Sequence, residues 1–370
     1  MNKKIKVGVL FGGKSAEHEV SLQSALSVIE ALDPTKYDVV LIGINKQGQW
    51  FLNESSKFLL EADNPKLIKL DTNGSSTSVA LIPGQKNEKL MRLNGSEKAS
   101  QIDVVFPVLH GTYGEDGTVQ GLLKLANVPF VGAGVLGSAV GMDKDVMKRL
   151  LRDAGLPIAK FMVLNRTTVR NTGYDSVVAQ LGLPLFIKPA NLGSSVGVRK
   201  VKDRKEYREA VEHAFLFDHK ILIEEFIDGR EVECSVLGND YPIASVPGEI
   251  VPQHEFYSYE AKYLDEKGAI LKIPADLPQD IVTKLQKMAV DTFQTLCCEG
   301  MARVDMFLTK DNKIFVNEIN TIPGFTKISM YPKLWEATGI PYKELVDRLI
   351  KLAMEKYQLD QQLQTSQEFE

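Results

Sequence analysis

The chain has only three cysteines, Cys234, Cys297 and Cys298. They have no metal-ligand spacing, and the adjacent pair is poorly placed to close on itself. That excludes a structural zinc site and a disulfide framework, and predicts buried or incidental thiols in a reducing cytoplasm. No apolar run approaches the ~20 residues of a membrane-spanning helix, and the Lys-rich start leads into a short strand and a glycine turn instead of a cleavable signal. No membrane partner is expected. A net excess of either charge is also lacking: 44 Lys and Arg against 48 Asp and Glu leave a formal net charge of −4 and no general basic field, so nucleic acid is not an expected partner and the substrate should be small. Two nucleotide signatures are missing as well. Gly12-Gly13-Lys14-Ser15 lacks the third glycine of the dinucleotide fingerprint and the earlier glycine of a P-loop.

The 370 residues exceed one small core and predict two or three domains. Residues 4–11 read as a strand running into Gly12-Gly13, Ser15–Leu32 as a helix, and 38–44 and 103–108 as further strands, which together predict a doubly wound parallel α/β domain. Residues 53–100 are polar and weakly periodic and read as an excursion from that sheet, with short strands near 67–70 and 78–82. A helix over 144–155 stops at Gly155-Leu156-Pro157. Strands follow at 160–164, 184–189, 220–227, 230–237 and 241–247, helices at 203–216, 278–297 and 341–357, a polar loop at 252–268, and a frayed tail from Gln358.

The segment Arg303 to Gly324 carries the most chemistry. A polar turn joins two apolar runs, so a hairpin brings Asp305, Glu318 and Asn320 together as hard oxygen ligands suited to Mg²⁺ and nucleotide phosphates. Strand alternation puts Glu318 with Asn320, and Arg303 with Asp305, while Asn317 and Ile319 point away. An ATP-using enzyme follows as the leading expectation. Lys188, at the root of the Gly/Ser loop 189–197 with Ser194 and Ser195, suits phosphate binding. At a strand end, Glu224 to Glu231 could read a purine and a ribose, with Glu231 as the carboxylate for the hydroxyls. His110 opens a glycine-rich turn at the carboxyl end of a strand, where ligands sit in open α/β sheets. One of Glu17 and Glu19, where the first helix opens, could hold a substrate ammonium, while the other complements the helix dipole.

Seven pieces in this order resemble the D-alanine:D-alanine ligases of the ATP-grasp superfamily. They are GGKSAEHEVS at 12–21, HGTYGEDGTVQG at 110–121, MDK at 142–144, KPANLGSSVGV at 188–198, EAKY at 260–263, ARVD at 302–305 and NEINTIPGFT at 317–326. The resemblance spans residues 4–355. It implies a three-domain ATP-grasp architecture: an α/β N-terminal domain (1–143), and α+β central (144–235) and C-terminal (236–370) subdomains, the last with a lid at 252–268.

It also implies roles. Glu17 holds the first D-alanine's ammonium and joins Ser194 and Tyr263 in a hydrogen-bonded triad, with His110 beside the substrates. Lys144, Lys188, Ser194 and Ser195 meet the ATP phosphates, and Lys262 nears the γ-phosphate and substrate. Glu224, Glu225, Phe226 and Ile227 border adenine, Glu231 takes the ribose, and Asn317 completes the nucleotide set. Asp305, Glu318 and Asn320 bind two Mg²⁺, or Mn²⁺ in their place. Arg303 and the Gly324 N–H form the oxyanion site, and Ser329 with the Met330 backbone receives the second carboxylate. The implied product is D-alanyl-D-alanine for peptidoglycan, made by a cytoplasmic homodimer from D-alanine and ATP. Glu260-Ala261-Lys262-Tyr263 matches the dipeptide-forming pattern instead of the D-lactate-using one.

Overall fold

The structure, a computed structural model, describes residues 3–53, 59–61, 64, 68–71, 76–84, 90–93, 101–252 and 269–364. Among them the first sheet contains β1 (Ile5–Gly12), β2 (Tyr37–Ile44), β3 (Trp50–Asn53), β6 (Ser76–Leu81), β7 (Leu90–Arg92) and β8 (Val104–Val108), with a separate pair of two-residue strands, β4 (Leu59–Leu60) and β5 (Lys69–Leu70). Its order is β7-β6-β3-β2-β1-β8. The expected parallel core is present, since β1 runs parallel to both β2 and β8. The 53–100 segment departs from expectation: β6 and β7 pair antiparallel beyond β3 and extend the sheet instead of leaving it. The short strands expected near 67–70 and 78–82 appear as β5 and β6; what weak alternation in polar edge strands hid was the pairing of β6 and β7 with the sheet.

Both faces of this sheet are covered. Val7, Val9, Phe11, Val104 and Phe106 face α1 (His18–Ala31), while Leu10, Ile42 and Val105 pack with Val119 and Leu123 of α2 (Thr118–Leu125). Each fully buried side chain of this size contributes about 1.5–3 kcal/mol. Next come α3 (Val135–Met142) and α4 (Lys144–Asp153), the latter capped by Asp143, whose carboxylate accepts from the Asp145 and Val146 amides at 3.1 Å.

The second sheet contains β9 (Phe161–Asn165), β10 (Leu185–Pro189), β11 (Arg199–Val201) and β12 (Lys220–Glu225), in the antiparallel order β11-β10-β12-β9. Helices α5 (Tyr174–Leu181) and α6 (Arg204–Ala214) supply Val177, Tyr207 and Val211 to its core. The third sheet holds β13 (Gly229–Gly238), β14 (Ile243–Ala244), β15 (Gly248–Pro252), β16 (Ala269–Lys272), β17 (Gly300–Thr309) and β18 (Ile314–Asn320). Against it lies α7 (Gln279–Thr295), through Ile281, Leu285, Ala289 and Phe293. The chain then forms α8 (Met330–Ala337) and α9 (Tyr342–Asp360). Leu345, Val346 and Leu349 of α9 join the core under β1 and β8, returning the chain to the first sheet. All three thiols are free; burial pushes those of Cys234 and Cys298 up, while Cys297 is exposed.

Candidate active site

Strands β17 and β18 form the expected hairpin. In β17, Val304, Met306 and Leu308 are buried in the core, so Arg303 and Asp305 share the opposite face; Asp305 pairs with Glu318 and Arg303 with Asn320. Arg303 grips Asp305 with two bonds, Nε to Oδ1 at 2.7 Å and Nη2 to Oδ2 at 2.8 Å, and the Asn320 amide donates to Asp305 Oδ2 at 3.0 Å. One detail differs from simple alternation. The register shifts between Asp305 and Met306, so Met306 pairs with Val316 and Asn317 becomes the extra residue. Ile319 enters the core, but Asn317 does not follow it, and its Oδ1 lies 3.4 Å from Lys188 Nζ. A bulge lets consecutive residues 317 and 318 both serve one site.

The lysines form the next layer. Lys144 Nζ donates to the Leu192 carbonyl at 2.7 Å and lies 3.3 Å from Glu318 Oε2, linking the Gly/Ser loop to the hairpin. Lys188 Nζ is 2.6 Å from Glu224 Oε2, and Lys148 Nζ is 3.3 Å from Glu224 Oε1. Burial works to raise the Glu224 pKa, but Lys148 and Lys188 together hold it below the ordinary carboxylate value; burial likewise lowers the pKa of Lys148. Lys148 went unassigned in the sequence, although it follows Lys144 by four residues, the spacing that shares a helix face. The other nucleotide candidates diverge. Glu225 turns to the Lys160 amide at 2.7 Å, and Phe226 is partly exposed under Lys200, whose Nζ stands 4.5 Å from the ring centroid. Ile227 and Glu231 are half-buried at the β12–β13 junction.

Glu17 and Glu19 separate clearly. Glu19 pairs with Lys46 at 2.6 Å near the surface, whereas Glu17 is buried and accepts the Ser194 hydroxyl from a loop 177 residues away. Ser194 and Ser195 adopt φ of 52° and 59°, the left-handed region that non-glycine residues enter only in tightly constrained turns. Gly111, at φ +73°, abuts the same carboxylate: a Cβ there would sit 2.6 Å from Glu17 Oε2. Gly111→Ala is therefore expected to displace Glu17 and, given the ammonium-binding role expected of that carboxylate, to raise the amino-acid KM by about tenfold or more against an unchanged ATP KM.

The segment from Ile322 to Phe325, which contains Gly324, is held from several sides. His110 Nδ1–H donates to the Ile322 carbonyl at 2.9 Å, leaving Nε2 to accept from Ser24 Oγ at 3.0 Å. Ser24 Oγ also accepts the Phe325 amide at 3.3 Å, and Tyr342 donates its hydroxyl to the Phe325 carbonyl at 2.5 Å. Glu115 completes the clamp, accepting the Gly111 amide at 2.7 Å and the Ile322 amide at 3.1 Å. Burial lowers the His110 pKa, so the imidazole is neutral. Ser24 and Glu115 were assigned no role from the sequence; Glu115 lies within the glycine-rich turn itself, which was its only signal. Beyond the clamp, Ser329 Oγ accepts the Thr326 amide at 3.1 Å, and α8 begins at Met330, whose side chain is buried against Ile250 and Leu334. Its amide lies in the first turn of the helix, a setting that favours anions. Lys262 and Tyr263, with the rest of the expected lid from 253 to 268, lie outside the described residues.

Residues 6–133 match the family described as D-ala D-ala ligase N-terminus, and residues 150–351 match D-ala D-ala ligase C-terminus. The chain belongs to the D-alanine–D-alanine ligase family. A D-alanine–D-alanine ligase of Shouchella clausii is 58% identical over 363 residues, 98% of each chain. Among solved structures, the D-alanine-D-alanine ligase from Coxiella burnetii superposes with a TM-score of 0.86 at 40% identity, covering 97% of this chain and 96% of that one. The VanG D-Ala:D-Ser ligase from Enterococcus faecalis gives 0.85 at 36%, covering 95% of this chain and all of the other. D-Ala–D-Ala ligases are ATP-dependent ATP-grasp enzymes, and no helix among the described residues is long and apolar enough to cross a membrane.

In this ligase-family site Glu115 gives a pH signature. Burial first, and then the nearby Glu17 charge, push its carboxyl up to about 8. A raised folded-state pKa means that folding takes up a proton, so stability is full below the ordinary value of 4.5 and is lost as pH rises to about 8. Glu115→Gln should flatten that slope; thermal unfolding of both proteins across this window checks it.

Proposed function

We propose that this chain joins two D-alanines into D-alanyl-D-alanine, coupled to cleavage of ATP to ADP and phosphate, in the cytoplasm and for peptidoglycan precursors. The supporting observation is a continuous line of contacts: Asp305 with Arg303 and Asn320 on one face, Glu318 beside Lys144, Lys144 on the Leu192 carbonyl, and Ser194 of that same loop on Glu17. An ammonium anchor, phosphate-binding cations and hard oxygen donors are thereby joined.

A carboxylate is a poor electrophile. The carboxylate of the first D-alanine, its ammonium held by Glu17, attacks the γ-phosphorus of ATP; the bond to ADP breaks and an acyl phosphate forms. Lys144 and Lys188 offset the anionic charge. The neutral amine of the second D-alanine then attacks the acyl carbon, with its carboxylate at Ser329 and the α8 N-terminus. Arg303 and the Gly324 N–H hold the oxyanion, phosphate departs with the C–O bond, and the amine loses its proton. The clamp of His110, Ser24 and Glu115 keeps Gly324 in position.

Asp305, Glu318 and Asn320 offer two carboxylates and an amide, all hard oxygen donors. No cluster of three or more His, Cys, Asp or Glu able to hold a metal occurs among the described residues. Such a set suits Mg²⁺ or Mn²⁺, which complete their coordination with phosphate oxygens and water. The metal would supply neutralisation of phosphate charge. Residues 144–235 and 236–370 would enclose the nucleotide, with Lys262 and Tyr263 closing the lid against water, and the working unit would be a homodimer.

D-Alanine carrying ¹⁸O in its carboxylate tests this mechanism. The acyl phosphate route moves one labelled oxygen into the released phosphate, and label-free phosphate would refute it.

A further inference from the structure

Glu233 lies on β13 opposite Asp305 of β17, and Ser235 lies opposite Arg303. Its neighbours Val232 and Cys234 fill the core, so Glu233 shares the face that carries Arg303 and Asp305. Only 5% of it is exposed, and a carboxylate at such depth destabilises the fold unless a cation compensates it. Arg303 is one such cation. Its Nε lies 2.9 Å from Glu233 Oε2 and, simultaneously, 2.7 Å from Asp305 Oδ1, while Nη2 completes the fork to Asp305 Oδ2 at 2.8 Å. One guanidinium thus faces two carboxylates, with two hydrogen bonds directed at Asp305.

In the proposed reaction that fork is in conflict with itself. Asp305 must offer its oxygens to a divalent cation, and Arg303 must stay beside the developing oxyanion. A divalent cation at Asp305 repels the guanidinium and takes the oxygens that anchor it. We infer that Glu233 is a positioning residue that takes over the Arg303 guanidinium when Asp305 turns to the metal. The metal site then opens without loss of the oxyanion donor. A neutral residue at 233 would leave Arg303 bound to Asp305, in competition with the metal. The inference rests on the roles proposed above for Arg303 and Asp305.

The test is Mn²⁺ binding to the full chain with ADP, read by electron paramagnetic resonance without turnover. Thermal unfolding confirms that each variant is folded. Glu233→Gln is expected to weaken Mn²⁺ binding by about tenfold or more and to lower kcat at saturating metal, because a charge-assisted contact to Arg303 is gone. Glu233→Asp, which keeps the charge but shortens its reach, should fall between. In an Arg303→Met background the guanidinium is absent, so adding Glu233→Gln should change Mn²⁺ affinity by less than about twofold. Unchanged affinity in Glu233→Gln, or an equal loss with and without Arg303, overturns the inference. Failure of the wild-type chain to bind Mn²⁺ with ADP overturns the metal site and this inference with it.

Discussion

Glu318→Ala is expected to reduce dipeptide formation by about a thousandfold or more while leaving the fold intact, the scale of losing a charged group that organises transferring phosphate. Glu318 is half-buried on β18, opposite Asp305, and its side chain reaches Lys144 instead of the core. On the proposed reading, removing it deletes a metal ligand, and it also leaves Lys144 without the carboxylate 3.3 Å from its Nζ, so phosphate positioning would suffer twice. The core beneath is built by Val316 and Ile319, which the substitution does not touch. Circular dichroism and thermal unfolding should match wild type, and phosphate release should fall to background. A folded Glu318→Ala protein with more than a tenth of wild-type turnover would remove Glu318 from the site.

The second large effect concerns Glu17. Glutamine preserves its shape and its capacity to accept the Ser194 hydroxyl but removes the charge proposed to face an ammonium. Because Glu17 is buried, that charge acts in a weakly screened setting, and its loss is expected to raise the KM of the first D-alanine by about a hundredfold, with the ATP KM within about twofold. A second readout follows from the neighbouring carboxyl. The Glu17 charge contributes to the raised pKa of Glu115, so Glu17→Gln should move the pH-dependent stability loss attributed to Glu115 toward lower pH. Equal loss in both KM values, with no change in that pH profile, would make Glu17 a general structural residue.

The parts legible in the sequence were those whose chemistry is local. Asp305, Glu318 and Asn320 sit on one hairpin, so alternation and a turn were enough to bring them together. Glu17 and Ser194 lie 177 residues apart, and nothing local links them; the family resemblance paired them and the buried contact now joins them. The Ser24–His110–Ile322 connection spans more than 200 residues and was invisible for the same reason. Alternation alone pointed Asn317 away from Glu318, because a bulge breaks the two-residue period by one; the resemblance had placed it with the nucleotide set. The helices that went unread, α2, α3, α5 and α8, are eight residues each, barely two turns, which is too short for a 3.6-residue period to stand out. Long helices such as α7 and α9, with 17 and 19 residues, were plain.

The ligase reading meets its most direct test in a substrate panel: purified protein with Mg-ATP and D-alanine alone, or with D-serine, D-lactate or L-alanine added, following phosphate release and product masses at neutral and mildly acidic pH. Phosphate release with D-alanine alone is expected, one phosphate per D-alanyl-D-alanine, with no product containing L-alanine. Phosphate release that requires D-serine or D-lactate, with the mixed product in place of D-alanyl-D-alanine, would contradict it.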